Sequence, residues 1–140
     1  MKLVVKRDLK NNNYSVELAI EDIKTEDTEL FSDFGYPQVN VGGSLTKSES
    51  KDVVTGKDDE GNDVKETVKE EKVIANLGNE FKYLPTEFPI TRTFTQAQHG
   101  KDAEAIANQY VEEMKKRVTE TITELKAKRD EFTGKEEIVL

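Results

Sequence analysis

The chain is 140 residues long, holds 21 Lys+Arg against 29 Asp+Glu for a formal charge of −8, and contains no cysteine and no tryptophan. The missing cysteines exclude a disulfide framework, a thiolate metal site and a cysteine nucleophile, and the acidic total argues against a broad grip on phosphate backbones, which needs Lys and Arg. Leu, Ile, Val and Phe together make up a quarter of the chain, which is enough for one modest core and above the level that signals disorder.

The segment from Met1 to Ile23 reads as a β-hairpin. Leu3-Val4-Val5 is a short apolar run, Asn11-Asn12-Asn13 supplies turn chemistry, and Tyr14, Val16, Leu18 and Ile20 alternate with Ser15, Glu17, Ala19 and Glu21. A period of two places four apolar side chains on one sheet face, as in a half-buried antiparallel strand. The apolar run at the N-terminus is a mere tripeptide between charges, well short of the hydrophobic stretch of a signal peptide, so a cytoplasmic protein is expected.

Residues 25–35 read as one or two helical turns, with Thr25 as cap, Glu26 and Asp27 at the positive end, and Gly35 as a left-handed stop. Leu30, Phe31 and Phe34 are expected to point into the core. Beyond Pro37, alternation resumes at Val39, Val41 and Leu45. Gly42-Gly43 falls inside that strand, where it suggests a bulge or a close backbone approach.

Residues 46–72 have a different character. More than half of them are charged, and the only hydrophobic ones are Val53, Val54, Val64 and Val68. Lys57-Asp58-Asp59-Glu60-Gly61-Asn62-Asp63 is polar and turn-forming. Reflecting the chain about the 59/60 junction pairs Leu45 with Ile74 and Val41 with Gly78, which favours a long β-hairpin arm over a mobile loop. A strand pair without a buried face is marginal alone, so the tip is expected to move unless something holds it. With six Lys against nine Asp and Glu, the segment carries part of the net negative charge. The chain outside it is richer in apolar residues than the whole, so the shortage of such residues is partly local.

A further strand is expected from Glu80 to about Thr95, with Phe81, Tyr83, Phe88, Ile90 and Phe94 interrupted by Pro85 and Pro89. Prolines cannot donate to a ladder and fit an edge, bend or bulge. From Asp102 to Thr133 there is neither Gly nor Pro, and Gly134 offers a stop. Ala103, Ile106, Ala107, Tyr110, Val111, Met114, Val118, Ile122, Leu125 and Phe132 recur at steps of mostly three and four, the pattern of an amphipathic helix. Glu112–Lys116, Glu113–Arg117 and Glu124–Lys128 have the favourable i,i+4 order. At about 1.5 Å per residue the helix is roughly 48 Å long, so one end must overhang a small sheet or meet a partner chain. Val111, Val118, Leu125 and Phe132 repeat at heptad spacing and would suit a helix–helix seam, although packing on the chain's own sheet is the simpler account. The terminal Ile138-Val139-Leu140 would add a short strand or tuck into the core.

Little in the sequence points to chemistry. His99 is the one histidine, whereas a zinc site normally draws on several His or Cys ligands, and no serine lies in a nucleophile-elbow context. Gly56 and Gly61 have phosphate-loop spacing, but Asn62-Asp63 stands where Lys-Ser/Thr is needed. Placing Gly61 at the sixth position of an EF-hand puts Gly56 at the first and Thr67 at the twelfth, so that match fails. Paired carboxylates are abundant on polar faces without any sign of a cleft. No cofactor, metal or small-molecule ligand is indicated, and no apolar run approaches the length of a membrane span.

These readings combine into an α+β fold: an antiparallel β-sheet of four to six strands, a protruding charged β-hairpin, and one long amphipathic C-terminal helix on a sheet face, within one domain spanning 1–140. The expected role is a non-enzymatic assembly or protein-interaction component. Its surfaces would be the arm, through Val53, Val54, Val64 and Val68, and the helix, through Val111, Val118, Leu125 and Phe132. A sheet, helix and extended arm recur in phage head and tail proteins, a fold-level analogy only that would make the chain virion-associated. The alternative is a single-stranded nucleic-acid binder using Tyr14, Tyr36, Tyr83, Lys82 and Arg92 on the sheet face, disfavoured by the acidic total.

Overall fold

The computed structural model describes residues 1–140. Strands β1 (Lys2–Lys10) and β2 (Asn13–Glu21) form the first hairpin, paired from Lys2↔Glu21 to Lys10↔Asn13. Helix α1 (Thr25–Asp33) and strand β3 (Gln38–Asn40) follow. Strands β4 (Ser44–Lys57) and β5 (Asp63–Asn76) make the arm. Short strands β6 (Phe81–Tyr83) and β7 (Ile90–Phe94) lead to helix α2 (Gln96–His99), a single 3-10 turn, and the long helix α3 (Ala103–Phe132). The chain is α+β with antiparallel strands throughout and one long C-terminal helix.

The strands do not form one sheet. They divide into β1-β2-β7, β3-β6 and β4-β5. The expected strand from Glu80 to Thr95 is broken into β6 and β7 because Pro85 and Pro89 bracket a turn between them, and neither proline has an N–H to carry a ladder across it.

One apolar cluster unites these pieces. β2 contributes Val16 and Leu18, α1 Leu30 and Phe31, β3 Val39, β4 Leu45 and β7 Phe94. Helix α3 lays Ile106, Ala107, Tyr110, Val111, Met114, Val118 and Leu125 across them. Every apolar position expected on the helix face is buried or half-buried down to Leu125. Past Leu125 the helix leaves the core for two turns, and Phe132 at its end is 94% exposed. The overhang inferred from length is therefore at the C-terminal end. The Glu113–Arg117 pair forms at 3.0 Å, while Lys115 rather than Lys116 reaches Glu112, at 3.1 Å.

Helix α1 departs from expectation at its start, and at its end it closes at Gly35 as expected but with Phe34 turned outward. Thr25 does not cap it: the chain enters through Lys24, whose backbone N–H donates to the Asp27 carboxylate at 3.0 Å. At the other end Tyr36 N–H reaches the Phe31 carbonyl at 2.8 Å and Gly35 N–H the Ser32 carbonyl at 3.0 Å, with Gly35 at φ +70°. That double closure needs a left-handed residue at Gly35. It also turns Phe34 out of the core, leaving it 37% exposed.

Candidate interaction surface

The arm is a two-stranded ribbon with 14 residues in each strand. At about 3.3 Å per residue it is roughly 45 Å long. Its register follows the reflection expected from the sequence along the regular stretch, from Thr46↔Val73 to Val54↔Lys65. Irregularities between Leu45 and Thr46, and between Val54 and Gly56, shift the pairing by one residue at each end. Leu45 therefore meets Ala75 rather than Ile74.

At the tip, the Asp58 carboxylate accepts from the N–H groups of Glu60 at 3.0 Å and Asn62 at 2.8 Å. Asp58 N–H donates to the Asn62 carbonyl at 2.9 Å. The acidic cluster of the tip thus folds the turn, with its first carboxylate occupied by backbone donors.

Exposure defines the arm. Only Leu45 is buried among the strand residues of the ribbon. Directly opposed residues share a face, so Val53 and Val68, in the neighbouring pairs Val53↔Glu66 and Lys51↔Val68, are diagonal neighbours on one face. Alternation along β5 puts Val64 on the same side. Val54, opposite Lys65, stands on the other face. The four valines expected as an interaction surface are thus all exposed and divided three to one.

The charges of the arm lie in bands. Lys47 is opposite Lys72 and Glu49 is opposite Glu70. Like charges directly across an antiparallel pair are destabilising, so these two pairs weaken the isolated ribbon near its root. Further out, by contrast, Thr67 donates to the Asp52 carboxylate at 3.0 Å and Lys57 faces Asp63.

A polar hub fixes the root of this arm to the body. The Asn40 side-chain carbonyl accepts from the N–H groups of Gly42 at 3.0 Å and Glu80 at 3.1 Å, and its amide donates to Asn79 at 3.1 Å. Arg117, on α3, donates through one guanidinium nitrogen to the carbonyls of Asn40 and Gly42, both at 2.7 Å. Two turns earlier on the same helix, the buried Tyr110 hydroxyl donates to the Val41 carbonyl at 2.8 Å. Gly43 N–H meets the Gly78 carbonyl, and Leu77 N–H returns to the Gly43 carbonyl at 2.8 Å. A side chain at Gly42 would collide with the Gly78 carbonyl oxygen. The glycine pair therefore marks the close backbone approach it suggested.

Tyr110 also packs against Phe94, with ring centroids 5.3 Å apart, and lies under the Arg92 guanidinium at 5.5 Å. Burial pushes its phenol above the ordinary tyrosine value, against the opposing pull of Arg92.

The helix positions proposed for a seam do not form one on the surface. Val111, Val118 and Leu125 are buried in the chain's own core, leaving Phe132 alone outside. A heptad repeat and a sheet-packed stripe share the same face of a helix, and here the sheet and α1 occupy it. Phe132 instead borders an open cleft of about 620 Å³ between the ends of α1 and α3, lined by Asp33, Phe34, Lys128 and Arg129.

The residues weighed for nucleic-acid stacking are not gathered on one sheet face. Tyr14 is half-buried against the core, Tyr36 sits in the turn after α1, and Tyr83 is in the separate β3-β6 pair. The cations are already engaged. Arg92 is 2.7 Å from Glu80, and Lys82 lies 3.5 Å from Glu80 and 3.8 Å from Glu87. Of the hub residues, Asn40 and Tyr110 carried no interaction signal in the sequence, and Arg117 appeared only as a helix-surface ion pair.

No helix of the chain is long and apolar enough to cross a membrane. The chain matches no protein-family model, no curated protein and no solved structure at a significant level. Its class is therefore defined by its own architecture: an α+β body with an anchored, solvent-standing β-arm.

Proposed function

We propose that this chain is a non-enzymatic assembly or protein-interaction component and that the β4-β5 arm is its contact element. The observation that carries this reading is the combination of a rigid root and an uncovered shaft. Two buried or half-buried side chains from α3, Tyr110 and Arg117, hold the root through three hydrogen bonds to carbonyls. Beyond Leu45 the shaft buries nothing fully, although a two-stranded ribbon alone is marginal in water. Anchoring at that level is wasted on a segment that only needs solvating, and it suits one that must be presented at a fixed angle.

The test replaces residues 48–71 with a short Asn-Gly turn and compares the sedimentation of the full and shortened chains. The expected outcome is a folded shortened body that has lost the association shown by the full chain. Equal association with and without the arm would sink the proposal.

A further inference from the structure

We infer that the arm's partner is a second copy of the same chain, added antiparallel along the outer edge of β4 with its two-fold axis at Ser50. This rests on the arm being the contact element and goes further by naming the occupant and the register. Both long edges of the ribbon are unpaired, since β4 and β5 form a sheet of two strands only. A long exposed edge presents a row of unsatisfied N–H and C=O groups and is a template for strand addition. The charge pattern decides between the two edges.

On β4 the regular ladder runs from Thr46 to Val54 between its two irregularities, and Ser50 is its midpoint. Thr46 is not free, because its carbonyl accepts from the Gln109 side chain at 3.1 Å. A pairing symmetric about Ser50 sets Val54 against Thr46 of the second copy, so its usable span is Lys47 to Val53. A symmetric pairing there sets Ser50 against Ser50 of the second copy and Glu49 against its Lys51, the latter contact occurring twice by symmetry. Ser48 then meets Asp52, and Lys47 meets Val53. No like charges oppose each other. Moving the axis to Glu49 or Lys51 puts a charged residue opposite itself.

The β5 edge behaves in the opposite way. Axes at Glu66, Lys69, Glu70 or Glu71 set that residue against its own copy. An axis at Thr67 opposes Lys65 to Lys69, and one at Val68 opposes Glu66 to Glu70. Every central register of β5 is blocked by like charge, while the central register of β4 is complementary. Pairing along β4 makes a four-stranded ribbon, β5-β4-β4-β5. It also gives Glu49, which faces Glu70 within its own arm, a cation on its other side.

The absence of native cysteine makes the register directly testable in the full chain. Directly opposed residues of an antiparallel pair have Cα atoms about 4.5–5.5 Å apart, within disulfide range. Ser50→Cys is expected to form a disulfide-linked dimer under mild oxidation. Lys69→Cys, on the far strand of each arm and about 14 Å from its copy, is not. Glu49→Lys is expected to weaken self-association about tenfold, because two symmetric attractive pairs become repulsive. Glu49→Lys/Lys51→Glu should restore it to within about threefold. Damage to the arm does not explain that pattern, since Glu49→Lys relieves the Glu49–Glu70 repulsion inside the ribbon.

Equal cross-linking by both cysteine variants, or an unchanged dissociation constant in Glu49→Lys, would overturn the register. A full chain that sediments as a monomer at hundreds of micromolar would overturn the self-pairing itself. If association survives Glu49→Lys but is abolished by removing 48–71, the pairing falls and the arm reading stands. If it also survives that removal, both fall.

Discussion

The body and the arm are both built from antiparallel hairpins, yet they are held by different forces. In the first hairpin, the inward side chains of β2 pack under α3, with Val16 and Leu18 fully buried. In the arm, a longer ladder runs with its side chains in water, and its order comes from backbone bonds and a fixed root. The contrast shows that hairpin geometry does not by itself stabilise a hairpin. Burial does so in one case, and anchoring substitutes for it in the other. Breaking the body therefore has the largest expected effect. Leu18→Ala removes a fully buried side chain beneath α3 and should cost about 2–5 kcal/mol, read as a lower urea midpoint for the whole chain.

The root is where the two regions meet, and substitutions there should fall between the extremes. Gly42→Ala forces a methyl group against the Gly78 carbonyl. Because the obstacle is backbone, we expect a loss of about 2–3 kcal/mol together with faster hydrogen exchange at Gly43 and Leu77. Tyr110→Phe leaves the Val41 carbonyl without its buried donor and should cost about 1–2 kcal/mol.

The same phenol gives a pH test of the root. A raised pKa in the fold means that the folded state holds its proton where the unfolded state has released it. Its contribution is fully present below the ordinary tyrosine value of about 10 and falls as pH rises above it. The wild-type chain should lose stability through that alkaline range with a component that Tyr110→Phe lacks, measured by denaturant titration at stepped pH.

Most of this contrast was legible in the sequence, because both regions announce themselves through spacing. The alternation from Tyr14 to Ile20 and the three-and-four stepping from Ala103 to Leu125 each name a buried face. The reflection about the 59/60 junction located the arm, and its charge density said that it would stand in water. What spacing did not fix was where a face stops being covered. Phe132 continues the helical pattern as well as Leu125 does, but the sheet and α1 have ended by then. Phe34 keeps a plausible helical position and is turned outward by the closure at Gly35. The hub was hidden for another reason. Asn40 and Arg117 are 77 residues apart in the chain, and a long-range hydrogen bond to a backbone carbonyl leaves no periodic trace. Only Gly42-Gly43 hinted at it.

The smallest effect should come from the arm itself, and it sharpens the comparison most. Val54 is an apolar β-branched residue in a strand, as Val16 is, and sequence alone treats them alike. Val16 is 2% exposed and Val54 53% exposed. Val54 stands across from Lys65 on the face away from Val53, Val64 and Val68, so Val54→Ser removes a side chain that is about half covered and takes no part in the core cluster. Its effect on the unfolding of the body should lie within about 0.5 kcal/mol, against about 2 kcal/mol or more for truncating Val16 to Ala. Equal losses at the two positions would mean that the arm is packed against something within the same chain. A loss at Val54 that grows with protein concentration would instead place this face in an interface, since mass action couples stability to assembly. The concentration dependence of the unfolding midpoint therefore separates an arm supported by its own chain from one completed by another.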